Sequence, residues 1–270
     1  MTLDNGAMLL VIVLLGILGL LIGSFLNVVI HRVPEGQSIL RPRSACPVCG
    51  TQIRSRDNIP VASWLLLRGR CRDCGAPISI RYPLVELATG VMWAGLGWWA
   101  MGSEAALALL PLLLVLVSMG VALTMIDLDH HRLPNSIVLP LYPVTMVGLV
   151  LAGFLADRWP LMAAGAGAAV WLVVVGLPWL VSGGRGMGFG DVKLAPVLGV
   201  TLGWWALSSA IVGLFAAFAL GALVGVGLML ARRAGRKTAL PFGPFLLVGA
   251  LLGLIVGPAL SDAYLSFLTG

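Results

Sequence analysis

The chain has 270 residues, 59% of them hydrophobic and only 10% charged, with a formal net charge of +6. Soluble globular domains carry about 25% charged residues, so the composition excludes an ordinary water-soluble enzyme and calls for a bilayer. Apolar stretches of the roughly 17–25 residues that a spanning helix needs run over 8–30, 84–101, 105–126, 136–156, 161–182, 192–206, 207–231 and 242–261. The expected fold is an all-α polytopic membrane protein of about eight transmembrane helices, the sixth being the shortest.

The first span exceeds the roughly 7–15 apolar residues of a signal-peptide core and is followed by no Ala-x-Ala-like site, so it is expected to stay as an anchor. After it, residues 31–83 carry nine arginines against Glu35, Asp57 and Asp73. The bias of Lys and Arg toward cytoplasmic loops places this segment inside the cell. With eight spans, the loops holding Arg132, Arg185 and the group Arg232, Arg233, Arg236 and Lys237 fall on the same side, and the opposite loops hold only Arg158. Both termini are then outside. The arginines set topology and touch anionic lipid head groups; no nucleic-acid partner is expected.

Inside that basic segment, Cys46-x-x-Cys49-Gly50 and Cys71-x-x-Cys74-Gly75 form two knuckles separated by about twenty residues. Each pair can grip one edge of a tetrahedral site, with the glycine permitting the tight turn, as in structural zinc sites. Two disulfides are the competing reading, disfavoured in a reduced compartment. Four cysteines fill the shell, which points to a structural rather than a catalytic ion. The second span follows Arg81 and contains Glu86, whose role is an interfacial ion pair or a substrate contact.

Two acids stand where an apolar chain least tolerates them. Asp127 closes the third span, two residues before Asp129, and Asp191 opens the sixth after Gly188 and Gly190. Ionisable groups at such positions are functional until shown otherwise, and a carboxylate pair suits acid/base hydrolysis. The plainer readings are a helix N-cap for Asp191 and a solvated turn for Asp127 and Asp129. Adjacent His130 and His131 do not share a ligand face, and Ser24, Ser118 and Ser136 lack a nucleophile-elbow setting. Glycines four apart, as at Gly221 and Gly225, suit close helix packing. A proton-coupled transporter, with midplane acids and inverted repeats, and a zinc-ribbon membrane scaffold are the alternatives from other classes.

Several segments together carry a resemblance: Gly23-Ser24-Phe25-Leu26-Asn27, the cysteine pairs, Asn58-Ile59-Pro60, Arg81-Tyr82-Pro83, Ile126-Asp127-Leu128-Asp129-His130, Gly188-x-Gly190-Asp191 and Pro241-Phe242-Gly243-Pro244. From about residue 20 to 245 the chain resembles the bifunctional type IV prepilin peptidases. These are membrane aspartic proteases of the bacterial inner membrane that remove the leader of prepilins and pseudopilins and then methylate the new N-terminus with S-adenosylmethionine. The resemblance implies Asp127 and Asp191 as the catalytic pair, with Asp129 a near competitor for the first role. It implies Cys46, Cys49, Cys71 and Cys74 as zinc ligands, and a part for Gly69 in methyl transfer. The implied division is a first helix at 1–30, a cytoplasmic zinc-binding lobe at 31–83 associated with methylation, and a peptidase domain at 84–270. The stretch between Pro34 and Cys46 is shorter than in several relatives, so substrate contacts there are not carried over.

Overall fold

A computed structural model describes residues 4–185, 187–231 and 240–269. Arg232, Arg233, Arg236 and Lys237, used above for orientation, and Gly186 lie outside the described residues. Regular structure is helical, as it must be where no water satisfies the backbone. The elements are α1 (Asn5–Arg32), α2 (Ala62–Leu66), α3 (Arg81–Ala100), α4 (Glu104–His130), α5 (Asn135–Ala156), α6 (Leu161–Ser182), α7 (Phe189–Trp205), α8 (Leu207–Leu230) and α9 (Gly243–Thr269), with one 3-10 turn at Ser55–Asp57. Pairing among the described residues is confined to isolated bridges, Ala45 with Gln52 and Arg70 with Pro77.

Helices α1, α4, α5, α6, α8 and α9 are long and apolar enough to cross a bilayer, which makes this a multi-pass membrane protein. The other two expected spans are helices that fall short of that measure: α7 has 17 residues, and α3, with Glu86 and three tryptophans along it, is less apolar than the six. Two boundaries differ from expectation. The fourth helix runs on through His130, one turn past the apolar stretch, closing with the His131 amide on the Asp127 carbonyl at 2.9 Å. Helix α7 starts at Phe189 rather than 192, with Gly188 as its N-cap. Both aspartates therefore sit within helices, and Asp191 is not the cap residue.

The chain forms two compact units, Met1–Ala122 and Leu123–Gly270, the division falling inside α4. That differs from a boundary at 83/84 because α3 packs on α1. In the first unit a Cβ at Gly23 would lie 2.6 Å from the Glu86 Cα, so only glycine allows the approach. The Glu86 carboxylate is buried and accepts the Val61 amide at 2.7 Å. Val61 has φ of 59°, a costly conformation for a β-branched residue. Glu86 thus holds a strained turn of the 33–80 lobe against α3.

In the second unit α7 packs against α5, α6, α8 and α9. A Cβ at Gly199 would lie 2.5 Å from the Gly167 carbonyl oxygen of α6. Fully buried Trp171 of α6 donates its indole N–H to the Ala210 carbonyl of α8 at 2.8 Å. A short helix enclosed by its neighbours is the place where a carboxylate can be shielded from lipid.

Candidate active site and metal site

Helix ends build the candidate active site. Asp127 lies one turn before the end of α4, where His131, at φ of 51°, turns the chain. The residue is 5% exposed, and Oδ2 accepts the Gly243 amide at the start of α9, at 3.0 Å. A Cβ on Gly243 would sit 2.9 Å from that oxygen, so the contact needs a glycine. Asp129, two residues on, is exposed.

Asp191 is the third residue of α7 and is 6% exposed. Its carboxylate lies against the N-cap residue, since a Cβ on Gly188 would sit 3.0 Å from Oδ2. Its Oδ1 is buried and has no partner among the described residues. Gly190 fits against the turn between α4 and α5, since a Cβ there would meet the Leu133 Cβ at 2.7 Å. Phe189 stacks on Trp179 at 4.9 Å between ring centroids, fixing where α7 starts.

Asp127 and Asp191 line one cavity of about 180 Å³, within electrostatic reach of each other. His131, Asn135 and Lys193 share its wall. The N-termini of α7 and α9 both meet a carboxylate, where the positive end of the helix dipole favours an anion. Sequence reasoning assigned no role to Gly243, Asn135 or Lys193. The signals present were the Pro-Phe-Gly-Pro break before α9 and a lysine two residues beyond Asp191 in an apolar helix.

The four cysteines meet in the first unit. Their sulfurs all lie within 4.8 Å of one another, and Cys46 and Cys74 are 3.8 Å apart. Thiolates bound at about 2.3 Å around a tetrahedral ion are separated by about 3.8 Å, so the cluster has the dimensions to hold a metal ion. The two knuckles repeat each other: the Gly50 amide bonds to the Cys46 carbonyl and the Gly75 amide to the Cys71 carbonyl, each at 2.9 Å, and both glycines have φ of 72°. Hydrogen bonding to Thr51 lowers the Cys49 thiol to about 6. Cys74 is pushed up to about 12: the Ala76 amide lowers it, but desolvation and the three neighbouring thiols outweigh that. Arg72 forks onto Asp57 at 2.6 Å and Arg54 reaches Asp73 at 2.8 Å, tying the second knuckle to the segment between the two.

Gly69 lies in this lobe, with φ of 66°, directly under the Trp64 indole, which a Cβ would meet at 2.9 Å. Its amide bonds to the Trp64 carbonyl at 2.8 Å, and Trp64 Nε1 donates to the Ile78 carbonyl at 3.0 Å. Gly69 is buried and has no side chain with which to touch a ligand.

Residues 17–100 match the family model of the bacterial peptidase A24 N-terminal domain, and residues 114–226 match that of the type IV leader peptidase family. A prepilin leader peptidase/N-methyltransferase of Aeromonas hydrophila is 40% identical over 92% of this chain and 91% of its own length. Proteins of the same name from Myxococcus xanthus and Pseudomonas aeruginosa are 46% identical over 84% of this chain and 66% of theirs, and 36% identical over 93% and 92%. No solved structure matches the chain.

Proposed function

The chain belongs to the type IV leader peptidase family, and on that premise we propose that it cleaves the leader from prepilins or pseudopilins and then methylates the new N-terminus. The carrying observation is the cavity in which Asp127 of α4 and Asp191 of α7 meet. We read the protein as an eight-span protein of the bacterial inner membrane, with α3 and α7 as the two short spans. In that reading both termini are outside and the cavity opens on the cytoplasmic, arginine-rich side, where arginines also meet anionic head groups.

Two carboxylates facing one cavity share a proton more cheaply than they both ionise. The ionised member takes a proton from water as the oxygen adds to the scissile carbonyl carbon. The protonated member gives its proton to the departing nitrogen as the C–N bond breaks. The new acid passes its proton to solvent, so a carboxylate remains on the leader and an amine on the mature protein. The Gly243 amide holds the Asp127 side chain in place for this exchange.

The 31–83 lobe serves the second step in this proposal, and 84–270 the first. The cysteine cluster fits zinc in a closed, structural site. S-adenosylmethionine supplies the methyl group as a co-substrate: the new amine attacks that methyl carbon, the C–S bond breaks, and one proton leaves to solvent. Gly69 acts there as a positioning residue, keeping room for Trp64.

Purified protein incubated with a model prepilin should release the leader, and with S-adenosylmethionine the new N-terminal peptide should gain one methyl by mass. Cleavage without methylation under any condition would reduce the chain to a peptidase, and no cleavage would reject the reading. In the same assay Gly243→Ala is expected to lower kcat by up to about 10²-fold, the scale of a misplacement near 1 Å, because the added Cβ displaces the Asp127 carboxylate. Unchanged kcat in that variant would remove Gly243 from the site.

A further inference from the structure

The cavity that holds two aspartates also holds a fixed lysine. Lys193 Nζ donates to Asn135 Oδ1 at 2.9 Å and lies 4.3 Å from the centroid of the Phe189 ring. Its own carbonyl accepts the Tyr142 hydroxyl at 2.7 Å, so both ends of the residue are held. An ammonium has three N–H donors, and its one hydrogen bond to an oxygen among the described residues goes to a neutral amide. It makes no ion pair with Asp127 or Asp191. The spacing of two from Asp191 explains this, because such positions on a helix face different ways, while the long stem still brings the charge to the cavity wall.

Hydrolysis creates a problem that this charge answers. As water adds, negative charge builds on the carbonyl oxygen, and after the C–N bond breaks the leader ends in a carboxylate. That anion forms beside a pair of aspartates carrying at least one negative charge of their own. The protonated aspartate can offer that oxygen one hydrogen bond, but the ionised one repels both the developing and the final anion. We propose that Lys193 contacts the scissile carbonyl oxygen and binds the carboxylate into which hydrolysis converts it, making it a further substrate-contacting residue of the cleavage step. This rests on the reading of Asp127 and Asp191 as the hydrolytic pair.

The test uses two synthetic leader peptides that end at the residue before the cut, one with a free carboxylate and the other with a carboxamide. Each competes against a model prepilin on the purified full-length enzyme at neutral pH. The wild type should bind the acid at least about tenfold more tightly than the amide, as a charge-assisted hydrogen bond does relative to a neutral one. Lys193→Met should erase or reverse that ratio, since the aspartates then act alone, and Lys193→Arg should keep it. General damage to the fold weakens both peptides together and leaves the ratio unmoved. Equal binding of acid and amide by the wild type, or an unchanged ratio in Lys193→Met, overturns the proposal. Measuring cleavage by Asp191→Asn as well separates the two readings: normal cleavage by that variant rejects the hydrolytic pair, whereas the change in acid-to-amide ratio from wild type to Lys193→Met reports on Lys193.

Discussion

Asp191→Asn is expected to lower prepilin cleavage by at least about 10²-fold, the low end of what a positioned proton-transfer group contributes, without loss of folded protein. Asparagine keeps the volume and removes the exchangeable proton. The side chain is buried with Oδ1 unpartnered, and an uncompensated buried carboxylate is a cost to the fold. The variant should therefore unfold at the same temperature as the wild type or higher, which separates loss of chemistry from loss of structure. Asp127→Asn should be as inactive, with its amide oxygen still able to accept the Gly243 N–H. Asp129→Asn should cleave at nearly the wild-type rate, because that side chain is exposed and does not line the cavity. Paired measurements of cleavage rate and thermal unfolding in detergent decide the matter. Near-normal cleavage by Asp191→Asn would end the dyad.

Loss of the metal should be as drastic for the lobe as loss of an aspartate is for cleavage. Across residues 33–80 only Ser63 and Gly69 are fully buried, while Leu40 and Leu66 are each 81% exposed and Val48 is 72% exposed. A segment with so little apolar core cannot offset the conformational entropy of ordering it. Binding of structural zinc contributes about 10–16 kcal/mol in small zinc-finger peptides, enough to decide whether such a lobe folds. Protein purified without chelators should carry close to one zinc per chain by elemental analysis. Cys46→Ser or Cys74→Ser should lower that content and open the lobe to limited proteolysis, with the membrane helices intact. A metal-free protein with a protease-resistant lobe would refute the assignment.

Gly69 shows how a position marked by resemblance acquires a physical setting in the fold. The resemblance marked it for methyl transfer, and its packing under Trp64 supplies a cause that needs no contact with a cofactor. Glu86 was open between an ion pair and a substrate contact; its carboxylate in fact holds the Val61 amide.

Local properties were legible from the sequence alone. Apolar runs of spanning length foretold α1, α4, α5, α6, α8 and α9, because backbone groups in lipid must be satisfied within their own segment. Two aspartates in that setting stood out by the free-energy cost of burying them, and two C-x-x-C pairs by their ligand spacing. What no local rule contains is which atoms meet. The Gly243 amide and the Asp127 carboxylate are 116 residues apart, and Lys193 finds Asn135 across 58. The last turn of α4 and the first of α7 were placed outside the helices because polar residues end an apolar run, yet hydrogen bonding carries a helix past the point where hydropathy stops. Close packing of α6, α7, α8 and α9 through glycine decided the site, by bringing helix ends together where their orphan amides and dipoles meet buried carboxylates.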